Sequence, residues 1–164
     1  MIKLRNAEKT DFETIVELNQ NEVDKTSPMD LSRLELLDAL ACYHKVVGFG
    51  GQVVGFLFAM GEKAAYQNDN FAFFKSRYER FVYVDRIVIA AEFAGNKLGS
   101  ALYDDLFACA RSQQVNTVTC EFYTQPLNLA SQKFHQRFGF QEVGSQMAED
   151  GIKVVSLQAA KSVT

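Results

Sequence analysis

Apolar positions along the chain switch between two spacings. A spacing of two marks strands, and one near 3.6 marks helices. Ile2–Arg5 alternates and predicts a first strand. Phe12, Ile15, Val16 and Leu18 give the apolar face of a helix over 12–22, with Asp11 placed to cap it. Thr26-Ser27-Pro28 ends that helix. A second follows over 31–41, with Leu34, Leu37 and Leu40 or Ala41 inward. The apolar runs 45–49 and 52–60 flank Gly50-Gly51, the pattern of a β-hairpin. The segment 61–80 holds Tyr66, Phe71, Phe73, Phe74 and Tyr78 among polar residues. It predicts a loop with a short amphipathic helix over a core edge, a lid over an acceptor pocket, or both.

The most informative stretch runs from Tyr83 to Arg111. Its first part, 83–90, is β-rich and predicts a central strand buried on both faces. Ala94, Gly95, Asn96, Lys97, Leu98 and Gly99 then form a turn. From Ser100 to Arg111 two apolar stripes carry Leu98, Leu102, Leu106 and Cys109, then Tyr103, Phe107 and Ala110. A strand, a glycine turn and a helix can hold a phosphate. The first helical amides have no internal partner, and that end carries partial positive charge. An ordinary strand-to-helix turn would look the same. The spacing fits neither a Walker loop nor G-x-G-x-x-G.

Beyond it, 116–123 alternates, with Val118, Cys120 and Phe122 on one face and Thr117, Thr119, Glu121 and Tyr123 on the other. Pro126 ends this strand. Asn128 can cap a helix over 129–138 that turns Ala130, Phe134 and Phe138 inward, with Gly139 following its end. The runs 141–146 and 152–158 close the chain around Glu149-Asp150-Gly151.

Residues 94–99 resemble the R/Q-x-x-G-x-G/A signature of the GNAT superfamily of acyl-CoA-dependent N-acyltransferases. Ala94 stands where Arg or Gln is usual, and Lys97 stands at the middle Gly. Residues 128–140, NLASQKFHQRFGF, resemble that superfamily's N-x-x-A/S-x-x-L/F-Y-x-x-x-G-F pattern. The order of elements is similar from end to end. The resemblance implies an α/β (α+β) fold in one domain, 1–164. It implies a mixed, central twisted sheet of about seven strands flanked by four helices.

The resemblance also implies an acetyl-CoA-dependent N-acetyltransferase that transfers directly within a ternary complex. The coenzyme would lie on Ala94 through Ser100. It would also meet the backbone of Ile87, Val88 and Ile89, where two central strands splay, and Asn128, Ser131, Phe134 and His135. The side chains of Ile87 and Ile89 are expected in the core. The superfamily's acid, a Tyr, is replaced by His135. A neutral imidazole could hydrogen-bond the sulfur, and an imidazolium is a stronger acid than a phenol, but His135 could equally pack beside the coenzyme. Tyr123, Tyr103 and Tyr83 are alternative acids. Glu121 resembles the glutamate that N-terminal-amine and ribosomal-protein acetyltransferases carry on the facing strand. It is the first candidate for the base, against a salt-bridged or edge carboxylate. Asp85 is the second candidate, against pairing with a cation such as Arg86 of a neighbouring molecule or facing solvent. A rival reading is an acyl-CoA-binding module without turnover, which Ala94, Lys97 and His135 support.

Composition narrows the partners. Of 164 residues, 48% are hydrophobic and the net charge is −3 with no basic block, which disfavours a nucleic-acid partner. No apolar run is long enough to span a membrane, and the N-terminus lacks the apolar region of a signal peptide. Cys42, Cys109 and Cys120 have no metal or disulfide spacing and are expected as reduced core residues of a cytoplasmic protein. Two histidines without HExxH make a zinc site unexpected, and His44 is expected at the surface. The acceptor is expected to be a small-molecule amine or a peptide N-terminus. Dimerisation through a sheet edge or helix face is common in the superfamily, so a homodimer is left open.

Overall fold

A computed structural model describes residues 1–125, 127–148 and 150–163. The roles expected of Pro126 and Glu149 lie outside the described residues. Seven strands form one sheet in the order β1-β2-β3-β4-β5-β7-β6. They are β1 (Ile2–Asn6), β2 (Tyr43–Phe49), β3 (Gln52–Gly61), β4 (Val82–Ile89), β5 (Thr117–Gln125), β6 (Gln141–Met147) and β7 (Val154–Lys161). Five α-helices accompany them: α1 (Phe12–Asn21), α2 (Leu31–Leu40), α3 (Asp69–Arg77), α4 (Leu98–Ser112) and α5 (Leu129–Arg137). The expected count of four helices is thus corrected to five, because 69–77 forms a helix of its own. Packing gathers the chain into two compact units, Met1–Met60 with Asp85–Phe107 and Gly61–Val84 with Ala108–Thr164.

In the first unit β1 pairs antiparallel with β2, and β2 with β3. Gly50 and Gly51, at φ 62° and 85°, make the tight turn that only a left-handed backbone can make here. α1 buries Phe12, Ile15, Leu18 and Asn19, and α2 buries Leu34 and Leu37. Asp11 occupies the cap position of α1 but accepts no helical hydrogen bond. Its carboxylate is taken by Arg5, through Nη1 at 2.7 Å and Nη2 at 2.8 Å, and by the Glu8 amide at 2.8 Å. A bidentate guanidinium is a stronger partner than a lone amide. His44, expected at the surface, is half-buried with only 6% of its side chain exposed, and its Nδ1 lies 2.7 Å from Asp38 Oδ1. Cys42 is exposed rather than in the core, Cys109 is half-buried and Cys120 buried.

In the second unit β5 pairs antiparallel with β7 from Thr117↔Lys161 to Gln125↔Val154, and β7 pairs with β6. β4 runs parallel to β5 at Val82↔Val118 and Tyr83↔Thr119. Asn68 starts α3 by accepting from the Phe71 amide at 3.0 Å. The helix buries Phe71 and Phe74, which pack with Tyr66, Phe81 and Tyr83. A Cβ on Gly144 would stand 2.7 Å from the Phe73 ring, so β6 keeps a glycine under α3. Residues 69–77 therefore cover a core edge, which is one of the two compatible readings of 61–80.

Candidate functional site

In the first unit β4 ends at Ile89, and a 3₁₀ turn at Ala91–Phe93 leads to the glycine turn. Val88 is buried, while Ile87 and Ile89 are half-buried, so the expectation of two core isoleucines is corrected. Alternation gives the inward places to Arg86 and Val88 instead. At Gly55 the strands come close: a Cβ there would lie 2.6 Å from Ile89 Cδ1 and 2.7 Å from the Val88 carbonyl oxygen. The Ala90 amide donates to the Val54 carbonyl at 2.8 Å, which fixes the exit of β4.

The turn itself is exposed from Ala94 to Lys97, and Leu98 is buried. Gly95 has φ 86° and Lys97 has φ 61°. A left-handed lysine carries a Cβ clash that glycine would avoid. Asn96 closes the turn by donating from Nδ2 to the Phe93 carbonyl at 2.9 Å. α4 begins at Leu98, two residues earlier than expected, so Gly99 and Ser100 lie in its first turn. Three consecutive features suit a polyanion: an exposed cation, a bare glycine and the amide end of a 15-residue helix.

Asp85 lies in the same unit. Its Oδ2 accepts from Arg86 Nε at 2.8 Å, and the two side chains are 4% and 5% exposed. The pair is thus within one chain and buried, which corrects both the neighbouring-molecule and the solvent-facing alternatives. Arg86 also donates to Asn19 Oδ1 at 3.0 Å, to the Ser27 carbonyl at 2.9 Å and to Ser27 Oγ at 3.0 Å. A buried guanidinium needs this full set of acceptors. The network ties β4 to α1 and to the segment after it.

The second unit holds the other candidates. Glu121 and Tyr123 share a face of β5, and Thr119 precedes them on it. Tyr83, fully buried, donates its hydroxyl proton to Glu121 Oε1 at 2.8 Å. This partnership was not legible in the sequence, where Tyr83 is only an alternative acid. Lys153 Nζ sits 4.9 Å over the Tyr123 ring.

On α5, Asn128 accepts from the Ser131 amide at 3.2 Å, the cap expected of it. Gly139 follows the helix at φ 84°. The inward residue is His135, 4% exposed; Phe134 and Phe138 are half-buried and Ala130 is exposed. The expected inward trio is corrected, because the buried face of α5 is rotated toward His135. Its ring packs against Phe122 and Phe140, each 5.3 Å away between centroids. Nδ1 lies 2.7 Å from the Ser131 carbonyl oxygen, which can only accept, so Nδ1 carries the proton. Burial pulls the pKa from 6.5 to about 4, against the opposing pull of that hydrogen bond. The ring is therefore neutral at pH 7, and the reading of His135 as an imidazolium acid loses its support.

The opposite face of β5 lines a cavity of 390 Å³ with Phe122, Thr124, Gln132, Gln136, Glu142, Ser156 and Gln158 among its walls. Gln158 donates to Ser156 Oγ, and Ser156 donates to Glu142. Glu121 and Tyr123 do not line it. Among the described residues no helix is long and apolar enough to cross a membrane.

Known structures share this architecture. The ribosomal-protein-S18-alanine N-acetyltransferase from Escherichia coli superposes with a TM-score of 0.76 at 15% identity, covering 100% of this chain and 96% of that one. Ard1 from Thermoplasma volcanium gives 0.78 at 18%, covering 99% of each chain. The yncA protein from Salmonella typhimurium, solved with its cofactor acetyl-CoA, gives 0.72 at 19%, covering 100% and 95%. At these identities the likeness is one of fold. No curated protein sequence matches the chain. A family model described as acetyltransferase (GNAT) family matches residues 3–140, most of the chain, and the chain belongs to that family.

Proposed function

We propose that this protein is an N-acetyltransferase that moves an acetyl group from acetyl-CoA to the primary amine of a small molecule or a peptide N-terminus. The observation that carries the reading is the exposed turn with left-handed Gly95 and Lys97 at the amide end of α4. It suits a pyrophosphate, and Lys97 supplies the cation that Ala94 does not. Ala94 through Ser100 would hold the phosphates, and the backbone of Ile87, Val88 and Ile89 the pantetheine arm. Asn128, Ser131, Phe134 and His135 would pack along the coenzyme.

Acetyl-CoA supplies the activated acyl carbon. The amine nitrogen forms a bond to that carbon, the carbon–sulfur bond breaks, and coenzyme A leaves with the electron pair. One proton leaves the nitrogen and one reaches the sulfur. Glu121 is the proposed base for the nitrogen. With His135 neutral and its Nδ1 proton committed to Ser131, the acid role passes to Tyr123, and His135 serves as a packing and accepting group.

A second reading, a coenzyme-binding module without turnover, is favoured by that same neutral His135. Calorimetry with acetyl-CoA, and 3′-dephospho-CoA as comparison, tests what both readings share. Saturable micromolar binding of acetyl-CoA is expected. No binding at millimolar concentration overturns both.

A further inference from the structure

We propose that Tyr83 is a positioning residue for Glu121, holding its carboxylate ionised and fixed in direction. The inference rests on the reading of Glu121 as the base. Tyr83 stands opposite Thr119 in the parallel register, and Glu121 follows two residues on along the same face of β5. The phenol leans forward to reach it, 2.8 Å from hydroxyl to Oε1. The ring is clamped by Phe71, Phe74 and Tyr66, with centroids 5.7, 5.8 and 6.3 Å away. Those contacts fix where the hydroxyl points.

A phenylalanine would fill the same clamp without placing a hydroxyl in the interior. Burying a hydroxyl is costly unless it is hydrogen-bonded, and the bond to Glu121 meets that need. A donor on a carboxylate favours its charged form, and here it also selects one rotamer. The remaining oxygen is thereby aimed in a set direction, which is what a base working on a bound amine needs.

Within this unit, named groups near Glu121 come from several elements. β4 offers Tyr83. β5 offers Tyr123, with Lys153 over its ring. The α3 side offers Tyr66, whose ring meets those of Phe71 and Tyr83. β7 places Leu157 opposite. Tyr83→Phe removes that hydroxyl alone, so the titration of Glu121 in this variant reports on its loss.

The test uses Tyr83→Phe, with Glu121→Gln in parallel. In the unliganded protein, a carbon-13 titration follows the Glu121 carboxyl. It should move to higher pH in Tyr83→Phe, and no movement overturns the inference whatever the activity. In turnover, Tyr83→Phe should lower kcat about tenfold or more with KM changed less than about threefold, and should move the acidic limb of the pH profile upward. Unchanged kcat and pH limb in Tyr83→Phe, alongside an inactive Glu121→Gln, reduces Tyr83 to packing. Full activity in Glu121→Gln overturns the base assignment itself, which the titration distinguishes from loss of the hydrogen bond.

Discussion

The imidazole of His135 donates from Nδ1 to the carbonyl oxygen of Ser131, 2.7 Å away and one helical turn earlier. The bond fixes the tautomer, and burial pulls the pKa down to about 4. The sign of its effect on stability follows. The unfolded chain takes up this proton near pH 6.5, the folded protein only near pH 4, so the unfolded state binds more protons between those values. Stability from this residue is complete above pH 6.5 and is lost as pH falls toward 4. His135→Phe should shrink the drop in unfolding free energy between pH 7 and pH 4.5 by about 2–3 kcal/mol. Urea melts at both pH values measure it, and an unchanged drop contradicts the assignment.

Lys97 keeps a side chain in a left-handed backbone where a glycine would relax. The strain is of order 1 kcal/mol, partly offset by the greater freedom of glycine in the unfolded chain. Lys97→Gly should therefore leave the melting temperature unchanged or slightly raised. Affinity for acetyl-CoA should fall about tenfold, and its salt dependence should weaken. Calorimetry at two salt concentrations reads both effects. Unchanged affinity would show that the lysine charge is not part of the site.

Arg86 links Asp85, Asn19 and Ser27 with almost no exposure. Arg86→Leu leaves Asp85 buried without its guanidinium, and a loss of about 3 kcal/mol or more is expected. Arg86→Lys should not restore it, because one ammonium cannot span the planar set of acceptors. Hydrogen exchange should quicken over residues 22–30, the connection that the network anchors. Exchange confined to β4 would contradict this role.

The succession of strands along the chain is legible because strand alternation and Gly50-Gly51 are local signals, whereas their order within the sheet is not. Helix α3 was only half legible: DNFAFFKSR mixes apolar and polar residues without a clean stripe, and its burial depends on Tyr83 and Phe81 from elsewhere in the chain. The rotation of α5 toward His135 was not legible either, since packing against Phe122 and Phe140 decides it. Arg86 looked like an ordinary charge because its acceptors lie 59 and 67 residues away. The signature turn was legible as a pattern, and its left-handed Lys97 became visible only in the backbone. Glu121 stood out through alternation, but its partner Tyr83 comes from a cross-strand register that no single strand encodes.

The most direct test is thiol release from acetyl-CoA by the purified protein across a panel of primary amines and short peptides, with Glu121→Gln alongside. The account predicts release that depends on at least one amine and falls about a hundredfold or more in Glu121→Gln. Acetyl-CoA binding with no amine-dependent release from any member of the panel would contradict it and favour the binding module.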